Sequence, residues 1–426
     1  MTSTPEGPTP GVGRSAAGVW QDPGGTALLT TGLGASLLGS AVTEFAIPVV
    51  AATVLAAGPS VLAVLAAIPS LLALALRLPA GRAADASTRR FRVMTSLDLA
   101  RAGLLLILPA AWWAGRLSVP LLIAVMVAVS ACTIFYTAML GPAVPTLAGP
   151  WAAGRLNGRV AMLSSIADVS GPAAGGVLLR VLAAPVLLLV DSVSYLVSAV
   201  AHWRLVDRDR PAPHDPARPP AARTTIRRRL ADDRVFRWLI ICIVVLAGAN
   251  AMCTAQLVLY ATRTVGLDPG TYGLVMAAGA SGGILAGAFV GRALAARGVG
   301  AVAVAGASSL ALSLVVLPTA HLTAAGPAAI IAYNAVGGAG AVAVVVAAST
   351  HVQTTGDAST IGVSLAFLTL CTEASVAGGA LAGGALAEVF SVPAVITGAG
   401  VAALALAPAL IGRLRAAHRS SRPGPW

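Results

Sequence analysis

The chain has 426 residues, of which 57% are hydrophobic and only 10% are charged, and its mean hydropathy is +0.85. Soluble domains carry about 25% charged residues, so this composition excludes a soluble globular protein of this size. All 28 basic residues are arginine, and the net charge of +12 would suit nucleic acid only if they formed one basic patch. They fall instead between long apolar segments, which indicates a polytopic helical membrane protein.

Apolar runs of about 20 residues, the length that crosses a bilayer as an α-helix, recur twelve times along the chain. The first six spans are predicted at 26–50, 58–78, 92–114, 118–141, 157–179 and 184–204. The second six are predicted at 236–260, 269–292, 299–318, 324–349, 358–385 and 391–412. The predicted fold is therefore all-α, with twelve transmembrane helices in two pseudo-symmetric six-helix halves.

The polar segments divide the chain into domains. Residues 26–205 and 236–412 form the two halves, and the Pro- and Arg-rich residues 206–235 form a linker that cannot cross a membrane. The first 25 residues are a polar tail without the pattern of a cleaved signal peptide, and residues 413–426 form a basic tail. We expect the linker to be disordered in its Pro-rich part.

The arginines predict the orientation. If both tails lie on one side, the loops on the opposite side hold only Arg116, Arg180 and Arg263, and Arg101 lies within the third span. The remaining arginines fall on the side of the tails and the linker, which is the positive-inside pattern of a cytoplasmic face. We therefore expect a multi-pass protein of a bacterial plasma membrane with both termini in the cytoplasm.

Neither enzymatic nor metal chemistry is indicated. The cysteines lie singly inside predicted spans, and no Ser/His/Asp set or His/Glu metal pattern is present. A phosphate-cradling Gly-x-x-x-x-Gly-Lys loop is also missing, which argues against ATP as the energy source. We expect no enzyme activity, no cofactor and no nucleic-acid partner. The expected partners are the lipid bilayer, a small-molecule substrate and protons, and the protein is expected to be a monomer.

A short repeat links the two halves. LPAGRAAD (Leu78 to Asp85) follows the second span, and FVGRALAA (Phe289 to Ala296) follows the eighth, so that Gly81 matches Gly291. Two related halves of six spans are typical of secondary transporters.

Two motifs resemble the major facilitator superfamily. PAGRAADASTRRFRVM resembles that family's loop between helices 2 and 3. The residues that match the family's motif are Gly81, Asp85, Arg89 and Arg90. In the family this loop latches the two halves together on the cytoplasmic side when the outside is open. SGPAAGG (Ser170 to Gly176) resembles the helix 5 element that the family associates with exchange of substrate for protons.

Two longer stretches are similar to one branch of the family. RLNGRVAMLSSIADVSGPAAGG and VDSVSYLVSAVAHWRL look like the branch of enterobactin-type siderophore exporters and macrolide efflux proteins. That branch usually has an aspartate after a glycine in helix 1, where this chain has Gly39 and Ser40 with the acid at Glu44. The branch also carries basic residues between helices 10 and 11, whereas residues 351–363 contain no arginine.

Three acids lie well inside predicted spans: Glu44 in span 1, Asp168 in span 5 and Glu373 in span 11. An unpaired charge at the bilayer centre costs at least about 2.5–3.5 kcal/mol, so such a residue is a functional candidate. We predict that these acids bind substrate or protons. The alternative is a neutral, hydrogen-bonded structural acid, and Glu373 could equally turn toward a neighbouring backbone.

Other polar residues in the spans have structural interpretations. Asp98 and Arg101 are three residues apart on one helix face, so they are predicted to form a charge pair. Asp191 matches a position typical of the resembling branch, and its role is left open between a structural acid and an outer-gate contact.

The element SGPAAGG interrupts an apolar span with small residues. Pro172 removes one backbone hydrogen bond, and Gly171, Gly175 and Gly176 create a smooth face for a neighbouring helix. We predict both tight packing and a conformational role at this element.

The prediction from the sequence is a proton-coupled antiporter that exports a small amphipathic or cationic compound, such as a drug, by alternating access. The alternatives are a dedicated exporter of a siderophore or other metabolite, an uptake symporter, and a membrane sensor that has lost transport. The sequence does not identify the substrate.

Overall fold

The computed structural model describes residues 23–148, 150–209, 226–356 and 358–420, and no β-strand occurs among them. The predicted N-terminal tail through residue 22 and the linker residues 210–225 lie outside this part of the chain. The helices of the N-terminal half are α1 Pro23–Val49, α2 Pro59–Ala86, α3 Arg90–Trp113, α4 Val119–Ala148, α5 Pro150–Leu178 and α6 Leu188–Trp203.

The second half begins with a short helix that the sequence did not predict. The helices are α7 Ile226–Asp232, α8 Arg234–Leu259, α9 Pro269–Val316, α10 Thr319–Leu322, α11 Gly326–Thr355, α12 Ala358–Phe390 and α13 Val392–Ser420. Ten helices in the described ranges are long and apolar enough to cross a membrane, and α5 is not among them. Asp168, together with arginines, serines and glycines, lowers the hydropathy of α5.

Helix α9 contains two crossings. Gly298 has φ 76° and ψ 167°, which breaks the helix between predicted spans 8 and 9. Before the break, Gly279 and Gly282 contact Asn334 and Ala335, so this arm runs parallel to α11; after it, Gly306 contacts Val344 and the arm runs antiparallel. Counting α9 twice and including α5, the chain crosses twelve times, which confirms the predicted fold class.

Both halves begin with the same local structure. Helix α1 ends in the π-helical turn Val50–Val54, and α8 ends in the π-helical turn Tyr260–Thr264. The next helix starts with proline in each case, at Pro59 and Pro269, where proline's fixed φ favours the first helical turn. These pairs have the same sequence offset as Gly81 and Gly291, so the repeat extends over the first two spans of each half.

We call the side on which α1 begins and α13 ends the linker side, and the opposite side the far side. Several helices continue on the linker side beyond the predicted spans, since α4 extends to Ala148 and α13 to Ser420. The first eight residues of the predicted basic tail are therefore helical.

The last part of the predicted linker is attached to the C-terminal half. Arg229 of α7 donates to Ser364 Oγ at 3.0 Å and to Thr355 Oγ1 at 3.2 Å, at the turn between α11 and α12. This turn lies within the segment that contains no arginine of its own, and Arg229 places a cation there from elsewhere in the chain.

Carboxylates fix two helix starts on the linker side. Asp209 accepts from the backbone N–H of Phe91 at 2.9 Å, at the start of α3. Asp233 caps α8 by accepting from Phe236 N–H at 2.9 Å and contacts His351 Nε2 at 2.8 Å. Burial raises the pKa of Asp233, but the hydrogen bonds with His351 and Phe236 outweigh burial and hold that pKa below its usual range.

Candidate substrate cavity and buried charges

A cavity of about 630 Å³ lies between the two halves. Its wall is formed by α1, α2, α4 and α5 from the first half and by α8, α9, α11 and α12 from the second. Most of the lining side chains are apolar, including Phe45, Leu65, Met126 and Leu246. This volume and composition are typical of a small-molecule site, which is mostly apolar with a few placed polar groups.

Two of the three predicted acids line this cavity. Glu44 of α1 and Asp168 of α5 both belong to the wall of the N-terminal half, and both side chains are exposed to the space between the halves. Tyr272 lies on the opposite wall, where its ring stacks on Phe45 with centroids 5.8 Å apart. The structure therefore brings two carboxyl groups to one side of a largely apolar chamber.

The few polar groups on the C-terminal wall are uncharged. Asn250 and Thr254 line the cavity from α8, and Thr372 lines it from α12. The Tyr333 hydroxyl is 2.8 Å from Asn250 Oδ1 and 3.0 Å from Thr254 Oγ1, so it fixes both side chains from behind. Gln256 does not line the cavity, because its Nε2 donates to Pro59 O at 3.1 Å.

Glu373 has a different environment from the one predicted. Its Oε1 accepts a hydrogen bond from Arg77 Nη2 of α2 at 2.6 Å, so the pair joins the two halves. Thr372, Val376 and Ala380 line the cavity beside it, but Glu373 is not part of the wall. The prediction of a free cavity acid overlooked Arg77, whose position two residues before Pro79 within an apolar span was the available signal.

The halves are sealed together on the far side. Gly176 of α5 lies against α9 so closely that an added Cβ would approach Gly270 O to 2.7 Å and Gly273 Cα to 3.0 Å. Arg263 Nη2 donates to Ala52 O and Ala57 O, each at 3.1 Å. The seal therefore combines glycine contacts with hydrogen bonds to backbone carbonyls.

The same seal continues along α2 and α12. Gly384 lies against Ala63, and Glu388 Oε1 accepts from Ser60 N at 3.0 Å. Ala67 and Ala377 meet one turn farther from the far side. Small side chains on both helices allow their backbones to approach closely.

The glycines of the SGPAAGG element serve two different neighbours. A Cβ at Gly171 would lie 2.4 Å from Ala41 Cβ, and a Cβ at Gly175 would lie 2.4 Å from the Phe45 ring, so these glycines pack α5 against α1. Gly176 packs against α9 in the other half. Pro172 lines the cavity between these contacts.

A buried charge cluster lies within the N-terminal half, away from the cavity wall. Asp98 contacts Arg101 with one carboxylate oxygen and His202 Nδ1 at 2.8 Å with the other. The Arg101 guanidinium lies between the rings of Tyr136 and Tyr195, 4.3 and 4.1 Å from their centroids. All five side chains are at most 4% exposed. The sequence predicted the Asp98–Arg101 pair but not His202 or the aromatic enclosure.

The residues of the loop motif lie together at the linker side of α2 and α3. Asp85 and Arg89 are exposed, whereas Arg90 is buried and its Nη2 reaches Ala84 O at 3.5 Å. An added Cβ at Gly81 would meet no atom within 4 Å. In this conformation Gly81 is therefore not required for close packing.

Within the described ranges, no group of three or more His, Cys, Asp or Glu side chains is arranged to hold a metal ion. The polar chemistry of the cavity therefore consists of two carboxyl groups on one wall and neutral hydrogen-bonding groups on the other. Such a chamber between two pseudo-symmetric six-helix halves defines a secondary transporter fold.

Comparison with known proteins identifies the family. Residues 29–371 match the family model described as Major Facilitator Superfamily. The chain belongs to this superfamily of membrane transporters. No curated protein matches the sequence.

Solved structures share the fold at low sequence identity. A point-mutant form of the nucleoside transporter NupG aligns with a TM-score of 0.75 and 11% identity, covering 91% of this chain and 99% of that chain. A bacterial homologue of the iron transporter ferroportin gives 0.71 and 16%, with 93% and 99% coverage. A bacterial homologue of the human lysosomal transporter Spinster gives 0.70 and 14%, with 95% and 100% coverage.

Proposed function

We propose that this protein is a proton-coupled antiporter that exports a small amphipathic or cationic organic compound. The observation that carries the proposal is the cavity of about 630 Å³, whose apolar lining is interrupted by Glu44 and Asp168 on one wall. Apolar surface accommodates the body of such a compound, and a carboxylate in a low-dielectric chamber attracts a cation strongly.

The two walls suggest complementary contacts with the cargo. A cationic group would lie toward Glu44 and Asp168, while Asn250 and Thr254 would bind a polar group on the other side. Because Arg77 is neutralised by Glu373, it adds no net charge beside the chamber. This balance favours cationic or neutral cargo over anionic cargo.

The proposed direction of transport follows from the arginines and the seal. We assign the linker side to the cytoplasm by the positive-inside rule. The far-side seal then closes the cavity from the outside, as in an inward-facing transporter ready to take up cargo from the cytoplasm. Gly176 supports this closed state.

Alternating access requires the far-side contacts to open and linker-side contacts to form. The exposed Asp85, together with Arg89 and Arg90, is the proposed cytoplasmic latch of the outward-facing state. Protonation of Asp168 and Glu44 would compete with cargo binding, because a proton and a cationic cargo both neutralise the same carboxylates.

Named relatives do not determine the cargo. NupG, the ferroportin homologue and the Spinster homologue are named after different transporters and share only 11–16% identity with this chain. A dedicated exporter of a siderophore or self-made antibiotic would use the same mechanism, and biosynthetic genes beside the gene would favour it over general drug efflux.

The test uses inside-out vesicles with an acidic lumen and a dye that reports the pH gradient. Lipophilic cations, macrolides and siderophores are added one at a time. We expect one of these compounds to discharge the gradient with wild-type protein but not with Asp168→Asn. Asp207→Asn, which removes an exposed carboxylate outside the cavity, serves as the control.

Wild-type coupling in a well-folded Asp168→Asn protein would remove this residue from the mechanism. In another outcome, no compound discharges the gradient in inside-out vesicles with wild-type protein, but right-side-out vesicles accumulate a compound together with protons. That outcome would establish uptake symport instead.

A further inference from the structure

A further carboxyl group, that of Asp191 on α6, lies behind the cavity wall and is fully buried. Its Oδ1 accepts from Ser194 Oγ at 2.8 Å. The opposing surface of α1 is Gly39, where an added Cβ would lie 2.5 Å from that Oδ1 and 2.1 Å from Ser194 Oγ. The carboxyl group therefore occupies the space that a side chain at position 39 would need.

Two buried oxygen atoms at this contact lie beside each other and have no other hydrogen-bond partner in the described part of the chain. They are Asp191 Oδ2 and the hydroxyl of Thr43, which is only 4% exposed. Thr43 is one helical turn after Gly39 on the same face of α1, and its hydroxyl lies beside the carboxyl group of Asp191. Because a buried polar atom without a partner is costly, these two oxygens must pair, either with Thr43 O–H donating to the carboxylate or with a proton on Oδ2 donating to Thr43 Oγ1.

The two atoms can pair in either protonation state of Asp191. When Oδ2 carries a proton, its O–H can donate to Thr43 Oγ1, which accepts through a lone pair. When the proton leaves, the anion keeps the hydrogen bond from Ser194 and lies in the first turn of α6, where the helix dipole favours negative charge. The surroundings therefore accommodate both protonation states, as a reversible proton site requires.

We propose that Asp191, with Thr43 as its hydrogen-bond partner, is a proton-binding site of this transporter, separate from the carboxylates that face the cargo. The proposal deepens the proton coupling put forward above and rests on it for the link to transport. In this assignment Glu44 and Asp168 contact the cargo, and Asp191 holds a coupling proton out of the cargo's reach.

The charged groups around Asp191 come from three other helices, α1, α5 and α3. On α1, Glu44 adjoins Thr43 and interacts electrostatically with both Asp191 and Asp168 of α5. On α3, the positive charge of Arg101 acts on Asp191, but Arg101 is held by Asp98. Within the described part of the chain, no ion pair therefore fixes Asp191 in its charged form.

The remaining titratable neighbours of Asp191 are the two tyrosines that enclose the Arg101 guanidinium. Tyr195, on α6, is hydrogen-bonded to Ser40 Oγ at 2.9 Å, and Tyr136, on α4, is 3.4 Å from His202 Nε2. These groups already have partners, so Thr43 is the side chain left to pair with Oδ2 of Asp191.

This placement explains how cargo and proton could exclude one another without touching the same atom. A cationic cargo at Glu44 brings positive charge toward Asp191 through a region of low dielectric, which favours loss of its proton. Conversely, a proton on Asp191 reduces the total negative charge of Glu44, Asp168 and Asp191, which weakens the attraction of these acids for the cargo. The coupling free energy acts equally in both directions.

The test measures the proton directly by infrared difference spectroscopy of the protein in liposomes across a pH titration. A protonated carboxyl group has a C=O stretching band distinct from that of a carboxylate. We expect Asp191→Asn to lose one titrating carboxyl band, and Thr43→Val to keep this band at a shifted frequency, because its hydrogen-bond acceptor is gone. Asp207→Asn, which removes an exposed carboxyl group, should retain the band.

Two spectral outcomes would overturn the proposal. The first is a full titration series of Asp191→Asn that superimposes on the wild-type series. The second is a band that ignores pH but responds to sodium at constant pH, which would make this a sodium site. If Asp191→Asn does not fold, the frequency shift in Thr43→Val decides the result, and an unshifted band overturns the hydrogen-bond assignment.

The link to transport is tested separately. In the vesicle assay, Asp191→Asn should bind the responding compound with an affinity that depends less steeply on pH, because only Glu44 and Asp168 still titrate, and should lose gradient discharge. Unchanged discharge together with the loss of the infrared band would overturn the coupling role and leave the antiporter proposal intact.

Discussion

The two halves of this transporter share one architecture but differ in the polarity of their interiors. Among the described residues, the buried aspartate, arginine and histidine side chains all belong to the N-terminal half: Arg90, Asp98, Arg101, Asp191 and His202. The corresponding buried polar residues of the C-terminal half are Gln256, Ser313 and Ser364, which are neutral. Two copies of one fold can therefore acquire separate tasks, with ion handling in one half and neutral hydrogen bonding in the other.

The cavity repeats this difference. Its acidic wall belongs to the first half, whereas Asn250, Thr254 and Thr372 form the neutral wall of the second. Because charge in a low-dielectric interior is expensive, a protein that concentrates it in one half leaves the other free to change its cargo contacts. Mutations in the two halves should consequently affect different measurements.

The largest effect is expected from Asp98→Asn in the N-terminal half. The change leaves Arg101 fully buried without its carboxylate, and breaking a buried pair in this way costs about 3–5 kcal/mol. Thermal unfolding, followed by loss of the monodisperse peak in size-exclusion chromatography, should occur at a clearly lower temperature. The double variant Asp98→Asn/Arg101→Gln should recover part of the loss, and an unchanged unfolding temperature in the single variant would contradict the structural role.

A smaller effect is expected from Tyr333→Phe in the C-terminal half. The ring remains, but Asn250 and Thr254 lose the hydroxyl that fixes them, which is worth about 0.5–1.5 kcal/mol. The KM for the transported compound should rise by about two-fold to tenfold, while the number of protons per cargo stays the same. Tyr260→Phe is the matched control because its hydroxyl bonds Leu317 O outside the cavity. Altered proton stoichiometry in Tyr333→Phe would break the division between the halves.

The smallest effect is expected at the ion pair that joins the two halves. Glu373→Gln removes the pair with Arg77, whose side chain is 53% exposed, so the loss should be only about 0.2–1 kcal/mol. If the pair favours the conformation seen here, alkylation of a cysteine introduced at Ala63 in the far-side seal should accelerate by at most about five-fold.

The charge-swapped variant Arg77→Glu/Glu373→Arg supplies the control for that measurement. It should return the alkylation rate toward that of the parent protein. A swap that reacts as fast as Glu373→Gln would assign the effect to something other than the ion pair.

The fold could be predicted because its determinants are local. Each apolar run of about 20 residues predicts one membrane span, and the distribution of arginines predicts which loops lie on the same side of the membrane. The bounds were less predictable, because helices such as α13 continue past the bilayer, where hydropathy no longer marks them. The break at Gly298 was also predictable, since a change of direction must fall between predicted spans 8 and 9.

The site was predictable only in part. Glu44 and Asp168 stand out because an acid within an apolar run is unusual at any position. Arg77 stands out as an arginine within an apolar span, but its pairing with Glu373 could not be inferred, since the two are 296 residues apart and meet only where the halves join. The burial of Asp191 likewise depends on the approach of α1 at Gly39, which no local pattern in α6 reveals.

Arg263 has a consequence for how the far-side seal can be adjusted. It lies in the π-helical turn of α8, and both of its acceptors are backbone carbonyls next to the equivalent turn of α1. The residue at the corresponding offset in α1 is Thr53, which bonds its own helix at Val49 O. Side-chain substitution in the first half cannot delete carbonyl acceptors, so the strength of this contact is set from one position in the second half. A series of replacements at Arg263 with progressively weaker hydrogen bonding would thus shorten, step by step, the lifetime of the state that is closed on the far side.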